Sequence, residues 1–276
     1  MFHFLNIKRT FSFLLVLMLF PCLIRSQEIP DRPEKLKFSP LVYNPPNPAD
    51  YRVKLPSGAV VYIYSDRERP LIDLSVNIRG GSYLDPDEKE GLASLTGYLM
   101  ARGGIPSKPA DELDEELEFF AARLSSNFSG LNGSVSLNLL SKDADRGFEI
   151  LRAVLAAPSF QQDKLDLRKT QVIQGLKKRN DDSSSIESRE RNFLAYGDNF
   201  WFNRHPTTAS IESIRREDLL EFHHKWVNPK NFIISVSGDF EREDMLKRLN
   251  QLLGSWPHDG QLAPNVPQKQ KYGKPG

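Results

Sequence analysis

Two hydrophobic periodicities alternate along residues 51–256, and this mixture limits the possible folds more than any other feature of the sequence. Leu71 to Ile78 places an apolar residue at roughly every second position, which is typical of a half-buried strand. Leu92, Leu95 and Leu99 instead recur at i, i+3 and i+7, which is typical of one helix face. Because strands, hairpins and helices are interleaved, we expect an α+β fold with a mainly antiparallel sheet flanked by helices, rather than a doubly wound parallel sheet.

The same patterns predict the order of the elements, with the folded part beginning at Tyr51. Strands are expected within 51–64 around a turn at 56–58, at 71–78, within 125–140 around an Asn132-Gly133 turn, and at 232–236. Helices are expected at 92–99, 113–124, 143–156, 161–179, 185–196, 216–227 and 246–253.

The first 26 residues have the organisation of an export signal. Two basic residues precede a 14-residue apolar stretch from Phe11 to Ile24, and the small Ser26 is suited to cleavage. The apolar stretch is shorter than the roughly 20 residues that a membrane-spanning helix needs. We therefore expect a signal peptide at 1–26 and an exported, periplasmic or extracellular protein without a membrane span. A lipid anchor at Cys22 is an alternative, although the residues before it are a poor context for one.

Two further segments are rich in residues that disfavour regular structure. Residues 27–50 contain six prolines, which predicts an extended strap or a flexible leader. Residues 257–276 are rich in Pro, Gln, Lys and Gly and have few apolar side chains to bury, which predicts a linker or a truncated end. The folded domain is therefore assigned to 51–256.

Cysteine and charge content exclude several classes of function. Cys22 is the only cysteine, so removal of the signal leaves no thiol for a disulfide, a nucleophile or a zinc ligand. Removal of 1–26 also takes three of the 37 basic residues, against 36 acidic ones, which leaves a net charge of −2. A nearly neutral chain with interspersed charges argues against nucleic acid or an anionic membrane as the main partner.

Residues that usually carry chemistry form no active site by themselves. His223 and His224 are adjacent, so on a helix they point about 100° apart and do not chelate one ion together. His223 shares a helix face with Leu219 and Trp226, which predicts a partly buried structural residue. The acidic run 85–90 is expected to be solvated loop surface. No nucleophile elbow, Walker A loop or dinucleotide-binding fingerprint is present.

Six short segments match, in order, the landmarks of one enzyme family. They are 81–93, 156–160, 205–206, 214–219, 226–232 and 236–239. With these landmarks, residues 51–256 resemble the N-terminal domain of the insulinase/pitrilysin family of zinc peptidases, which includes the mitochondrial processing peptidase. The resemblance implies one half of a clamshell, in which two homologous halves close around a peptide.

The resemblance also locates the positions where the family carries its catalytic residues. These lie in an inverted H-x-x-E-H motif, whose histidines hold zinc and whose glutamate activates water. In this chain Ser94 and Tyr98 stand at the histidine positions, and Gly97 stands at that of the glutamate. The third family ligand, a later glutamate, is matched by Gly175, and Arg168 takes the position of an accompanying acidic residue.

These replacements remove the family's chemistry. A serine hydroxyl and a phenol are poor zinc ligands, and glycine offers no ligand. Without a carboxylate at position 97, no group is placed to take a proton from water. We therefore expect no catalytic residue, no bound metal and no cofactor at this site, with Ser94 and Tyr98 packing in the space where the family holds its metal.

Three functions remain open on the sequence. The first is a non-catalytic partner subunit, which supplies half of a peptide-binding chamber to an exported, zinc-bearing homologue. The second is a stand-alone scaffold that binds extended peptides at a sheet edge, for which Leu71 to Ile78 is the candidate edge strand. The third is a hydrolase whose chemistry has moved to His223, His224 and a nearby carboxylate such as Glu221.

Overall fold

A six-stranded sheet forms the centre of the folded domain. The computed structural model describes residues 43–198 and 200–268, together with residues 32, 34, 36 and 38, and one compact unit begins at Asn47. Within these residues the strands are β1 (Arg52–Lys54), β2 (Val60–Ser65), β3 (Leu71–Arg79), β4 (Arg123–Phe128), β5 (Asn132–Leu140) and β6 (Phe232–Gly238). The helices are α1 (Leu92–Arg102), α2 (Ala110–Phe119), α3 (Ala144–Ala156), α4 (Gln162–Lys177), α5 (Ser183–Tyr196), α6 (Thr208–Ser213), α7 (Arg216–Trp226) and α8 (Arg242–Leu253).

The strand order corrects one prediction about the sheet. The order is β1-β2-β6-β3-β5-β4, and every neighbouring pair is antiparallel except β2 with β6. This confirms the α+β class with a mainly antiparallel sheet. The prediction that Leu71 to Ile78 is an edge strand is wrong, because β3 lies between β5 and β6. Its neighbour β6 comes from the far end of the domain, and the two edge strands of the sheet are β1 and β4.

One face of the sheet is apolar and the other is polar. Every second side chain of β3 and β5 enters the hydrophobic core, as the alternating pattern predicts. Helices α1, α3, α7 and α8 contribute buried side chains to the same core, and each fully buried aliphatic side chain contributes about 1.5–3 kcal/mol to folding. The opposite face carries half-buried or exposed polar side chains: Asp73, Ser75, Asn77, Ser134, Ser136 and Asn138.

The helix predicted at 113–124 is shorter than its pattern indicates. Helix α2 ends at Phe119, and Ala121 then takes a left-handed backbone conformation with φ +53° in the turn before β4. Leu124 belongs to strand β4 and packs against the core from there. Its apolar character therefore reflects the strand, and its agreement with the helical spacing is a coincidence.

The turn between β4 and β5 also lies one step earlier than predicted. Ser129 donates its N–H to the carbonyl of Asn132 at 3.0 Å, so the turn spans 129–132. Gly133 is already paired with Phe128 within the two strands. A Cβ atom on Gly133 would lie 2.4 Å from the Phe128 ring. The close approach of this ring, rather than a turn, therefore requires glycine at position 133.

The two ends of the chain are described only in part. The signal predicted at 1–26, with Cys22, lies outside the described residues, and the leader at 27–50 stays a prediction. No helix within the described ranges has the length and apolar character needed to cross a membrane.

Residues 257–268 lie against the domain. Ala263 is buried, and its N–H donates to the side-chain oxygen of Asn231 at 2.9 Å. Tyr83 donates its hydroxyl to the carbonyl of Pro264 at 3.0 Å. This part of the predicted linker at 257–276 is thus fixed to the domain surface, and the linker role itself stays a prediction.

Candidate functional site

Helix α1, which carries the positions of the H-x-x-E-H motif, begins beside a buried carboxylate. Asp85 accepts hydrogen bonds from the N–H of Gly91 at 2.9 Å and from that of Ala93 at 2.7 Å. The residue is only 5% exposed, and burial raises the pKa of its carboxyl to about 6. The expectation of a solvated loop is therefore wrong for Asp85, which satisfies backbone donors at the helix start. No local cap signal marks this role, because the N-cap position of the helix is Gly91 and Asp85 lies six residues before it.

Gly97, at the position of the family's general base, lies directly against strand β4. A Cβ atom on this residue would lie 2.1 Å from the backbone nitrogen of Phe128 and 2.5 Å from the carbonyl carbon of Asn127. Real side chains do not approach backbone atoms this closely, so no residue with a side chain fits here unless β4 moves. The loss of the base is therefore accompanied by closure of the space that its side chain would need.

Ser126 of β4 fixes this close contact with two hydrogen bonds. Its hydroxyl donates to the carbonyl of Gly97 at 2.5 Å and accepts from the N–H of Ala101 at 2.9 Å. Ser126 is buried, and so are both helix residues that it contacts. The hydroxyl therefore bridges two successive turns of α1 and holds the helix against the strand.

Tyr98, at the position of the second histidine, is covered by arginine side chains. The guanidinium carbon of Arg168 on α4 lies 3.9 Å from the centre of the Tyr98 ring, and that of Arg102 lies 4.7 Å from it. Tyr98 is half-buried and packs against the core, as predicted. Two cations therefore occupy the surroundings of a position where the family places a metal ligand.

The remaining two positions offer no ligand. Ser94 is exposed, so the expectation that it packs in the former metal space is wrong. Gly175 is also exposed, and a Cβ atom there would meet no atom within 4 Å. The next residue, Leu176, is the one that packs against the core. Neither glycine nor leucine carries a donor atom for zinc.

The donor set therefore does not fit the zinc ion that the family resemblance implies. A hydroxyl, a phenol and a glycine replace two imidazoles and a carboxylate, and two guanidinium groups stand beside them. Within the described residues, no group of three or more His, Cys, Asp or Glu side chains is arranged to hold a metal ion. We therefore derive no metal-dependent step for this chain.

The residues considered for relocated chemistry form no metal site in the part of the chain that the structure describes. His223 is fully buried, and its Nε2 lies 3.0 Å from the carbonyl oxygen of Leu155. Burial lowers the pKa of this imidazole to about 3. Glu221 and His224 are exposed on the same helix. His223 is thus a structural residue inside the core, in agreement with its predicted helix face. Its ring centre lies 5.8 Å from that of His224, but within the described residues the two histidines and Glu221 form no group that could hold a metal ion.

Comparison with known proteins places this site in a family. A family model described as "Insulinase (Peptidase family M16)" matches residues 60–198, and one described as "Peptidase M16 inactive domain" matches residues 213–276. The non-peptidase homologue YmxG of Helicobacter pylori is 25% identical over 189 residues, which cover 68% of this chain and 44% of that protein.

Solved structures show the same fold. A peptidase M16 inactive domain from Pseudomonas fluorescens superposes with a TM-score of 0.72 at 24% identity, over 79% of this chain and 53% of that one. The first half of the periplasmic protease PqqL from Escherichia coli gives a TM-score of 0.68 at 18% identity, over 80% and 49% of the two chains. The present chain thus spans about half the length of these proteins.

The sequence landmarks, the sheet topology and the family models agree. The insulinase model alone matches half of the chain, and it includes α1 with the substituted motif positions. The resemblance stated from the sequence is thereby confirmed, and this chain belongs to the insulinase family, peptidase family M16.

Proposed function

We propose that this protein is a non-catalytic member of the family that binds extended peptides and forms half of a peptide-binding chamber. The other half is a homologous chain with an intact H-x-x-E-H motif. The observation that carries the loss of catalysis is the contact between Gly97 and β4, which closes the space that a catalytic base would need. Separately, the strand order makes β4 an edge strand of the sheet.

The loss of catalysis follows from packing as well as from composition. A glutamate at position 97 would collide with the backbone of Phe128. With glycine at position 97, α1 lies close to β4, and the Ser126 hydroxyl forms hydrogen bonds with the backbone of Gly97 and Ala101. The residues at this site therefore hold α1 and β4 in direct contact. A catalytic base at position 97 would need the space that this contact occupies.

Peptide binding is supported by the position of β4 in the sheet. Within the described residues, β4 pairs only with β5. The hydrogen bond from Ser129 to Asn132 shows that these two residues form a hydrogen-bonded pair. In an antiparallel pair of strands, hydrogen-bonded and non-hydrogen-bonded residues alternate. The backbone N–H and C=O groups of Leu124 and Ser126 therefore point away from β5. These groups are available to an added peptide strand. Strand β4 therefore replaces β3 as the candidate edge.

A partner half is supported by length and by surface. The Escherichia coli structure is described as a first half, and the present chain matches it over 80% of its own length. The polar face of the sheet, with half-buried or exposed residues such as Ser75 and Ser136, is suited to line a water-filled chamber. Export by the signal at 1–26 belongs to the same proposal, and the Escherichia coli protein is described as periplasmic.

Co-expression with a zinc-bearing homologue from the same source tests the partner role. We expect the two chains to co-elute in size-exclusion chromatography and the pair to cleave peptides with the partner's zinc. A matched variant of the partner without its motif glutamate should still assemble but should not cleave. Binding of fluorescent peptides by this chain alone separates a stand-alone scaffold from an obligate partner.

Two results would contradict the proposal. Peptide cleavage by this chain alone, with a stoichiometric metal ion, would show that it is an enzyme. A protein that remains a monomer beside every homologue from its source, and that binds no unfolded peptide, would lack both proposed roles.

A further inference from the structure

The substituted metal site contains two guanidinium groups that form no direct ion pair, although Arg102 is close enough to Asp114 to lower the pKa of that carboxyl. Arg102 and Arg168 both lie over the Tyr98 ring, at 4.7 and 3.9 Å, and neither takes part in any ion pair found within the described residues. The buried Nε of Arg168 has no hydrogen-bond acceptor in the described part of the chain. Its Nη1 donates only to the neutral side chain of Gln171 at 3.2 Å.

These side chains line a small cavity between α1, α2 and α4. Its volume is about 150 Å³, and its lining contains three cations but only one carboxylate. The third cation, Lys164, pairs with the exposed Asp111, and the carboxylate belongs to Asp114. The lining therefore has an excess of positive charge, and like charges held close together favour the entry of an anion.

We propose that this cavity binds the carboxylate group of a peptide, so that a site for a cation in the family has become a site for an anion. Guanidinium groups match carboxylates in geometry and form charge-assisted hydrogen bonds with them. The Tyr98 ring holds both arginines in place from one side, and the cavity has room for one short acidic group. This inference rests on the proposed peptide binding and names the chemistry that the site selects.

The cavity is lined in part by α1, the helix that contacts the edge strand assigned to peptides. Gly97 and Ala101 contact Ser126 of β4, and Tyr98 and Arg102 are the next residues of the same helix. Helix α1 thus connects the guanidinium groups with the strand to which we propose that a peptide adds. Either the C-terminal carboxylate of the peptide or an acidic side chain can supply the anion.

Fluorescence anisotropy with four versions of one labelled peptide tests the inference. The versions combine a free or amidated C-terminus with an internal Glu or Gln. We expect at least about tenfold weaker binding when the recognised carboxylate is removed, and a similar loss for Arg168→Gln and for the exposed Arg102→Gln. The control is Arg52→Gln, which removes one exposed positive charge from β1 at the other edge of the sheet.

A second readout separates this inference from the proposed function. N-acetylglycine, a soluble mimic of a peptide C-terminus, and N-acetylglycinamide, its uncharged counterpart, are compared by thermal shift on the full chain. A rise in melting temperature with the acid, absent in Arg168→Gln and Arg102→Gln, supports the anion site even if no peptide binds. Two results would overturn the inference. One is a peptide affinity that does not change when either carboxylate or either arginine is removed, and the other is an acid that raises the melting temperature of wild type and variants equally.

Discussion

The guanidinium of Arg168 lies 3.9 Å from the centre of the Tyr98 ring, although the two residues are on different helices. Such a contact contributes about 0.5–2 kcal/mol, depending on how far it is desolvated. Arg102 lies over the same ring at 4.7 Å. A divalent cation entering this site would therefore meet two positive charges, each repelling it by several kcal/mol at an effective dielectric constant of about 20. The site has changed its electrostatic sign as well as its ligands.

Gly97 is expected to tolerate no side chain. Gly97→Ala would place its Cβ 2.1 Å from the Phe128 nitrogen, so α1 or β4 must shift, and we expect a loss of about 2–3 kcal/mol in the free energy of unfolding. The matched control is Gly175→Ala, because that helical glycine is exposed and its Cβ would meet open space. The control should gain about 0.5–1 kcal/mol. Urea unfolding measures both, and equal stability of the two variants would contradict the close packing at position 97.

The Ser126 hydroxyl is expected to stabilise the contact between α1 and β4. Ser126→Ala removes one donor to Gly97 and one acceptor for Ala101 inside the core. We expect a loss of about 1–3 kcal/mol, because these groups have no access to water in exchange. Ser125→Ala, at an exposed position of the same strand, should change the unfolding free energy by less than about 0.5 kcal/mol. Similar thermal midpoints for the two variants would refute a structural role of the bridge.

His223 is expected to make the fold less stable in mild acid. Burial lowers the pKa of its imidazole to about 3 in the folded protein, so below pH 6.5 the unfolded chain binds a proton that the folded chain does not. Its contribution to stability is complete above about pH 6.5 and is lost as the pH falls towards 3, by about 1.4 kcal/mol at pH 5.5.

Urea unfolding at pH 7.5 and 5.5 checks this sign. The free energy of unfolding at pH 7.5 minus that at pH 5.5 should be lower in His223→Gln than in wild type by about 1.4 kcal/mol, and His224→Gln, at an exposed position, is the matched control. The buried Asp85, with its pKa raised to about 6, acts in the opposite direction, because its contribution to stability falls as the pH rises from about 4 to 6. It is present in all three proteins and therefore cancels. An unchanged difference in His223→Gln would contradict the assignment.

The amides of Leu124 and Ser126 should report peptide binding. Their N–H groups point away from β5, so a peptide strand added to β4 would accept hydrogen bonds from them and slow their hydrogen exchange. The amides of Ser125 and Asn127 point towards β5 and serve as an internal reference. Exchange measured by NMR with and without saturating peptide tests this, and unchanged rates at Leu124 and Ser126 would exclude β4 as the binding edge.

Most of the fold is predictable from local patterns. The helices at 143–156 and 216–227 and the strands at 71–78 and 232–236 follow from hydrophobic spacing, because one buried face imposes its period on the sequence. Errors occurred where local and tertiary causes give the same signal. Leu124 fits a helical spacing and also a strand, and Gly133 fits a turn and also the space beneath an aromatic ring.

By itself, the sequence determined the family and the absence of ligands at the motif positions, since a missing imidazole or carboxylate is a property of composition. Only the tertiary structure decided which strand is the edge, why position 97 must be glycine, and which side chains meet Tyr98. The physical reason is that these contacts join segments that are far apart along the chain. Strand β3 pairs with β6, Gly97 contacts Phe128, and Arg168 contacts Tyr98 only in the folded protein. Hydrophobic spacing records which side of an element is buried, but not what is buried against it.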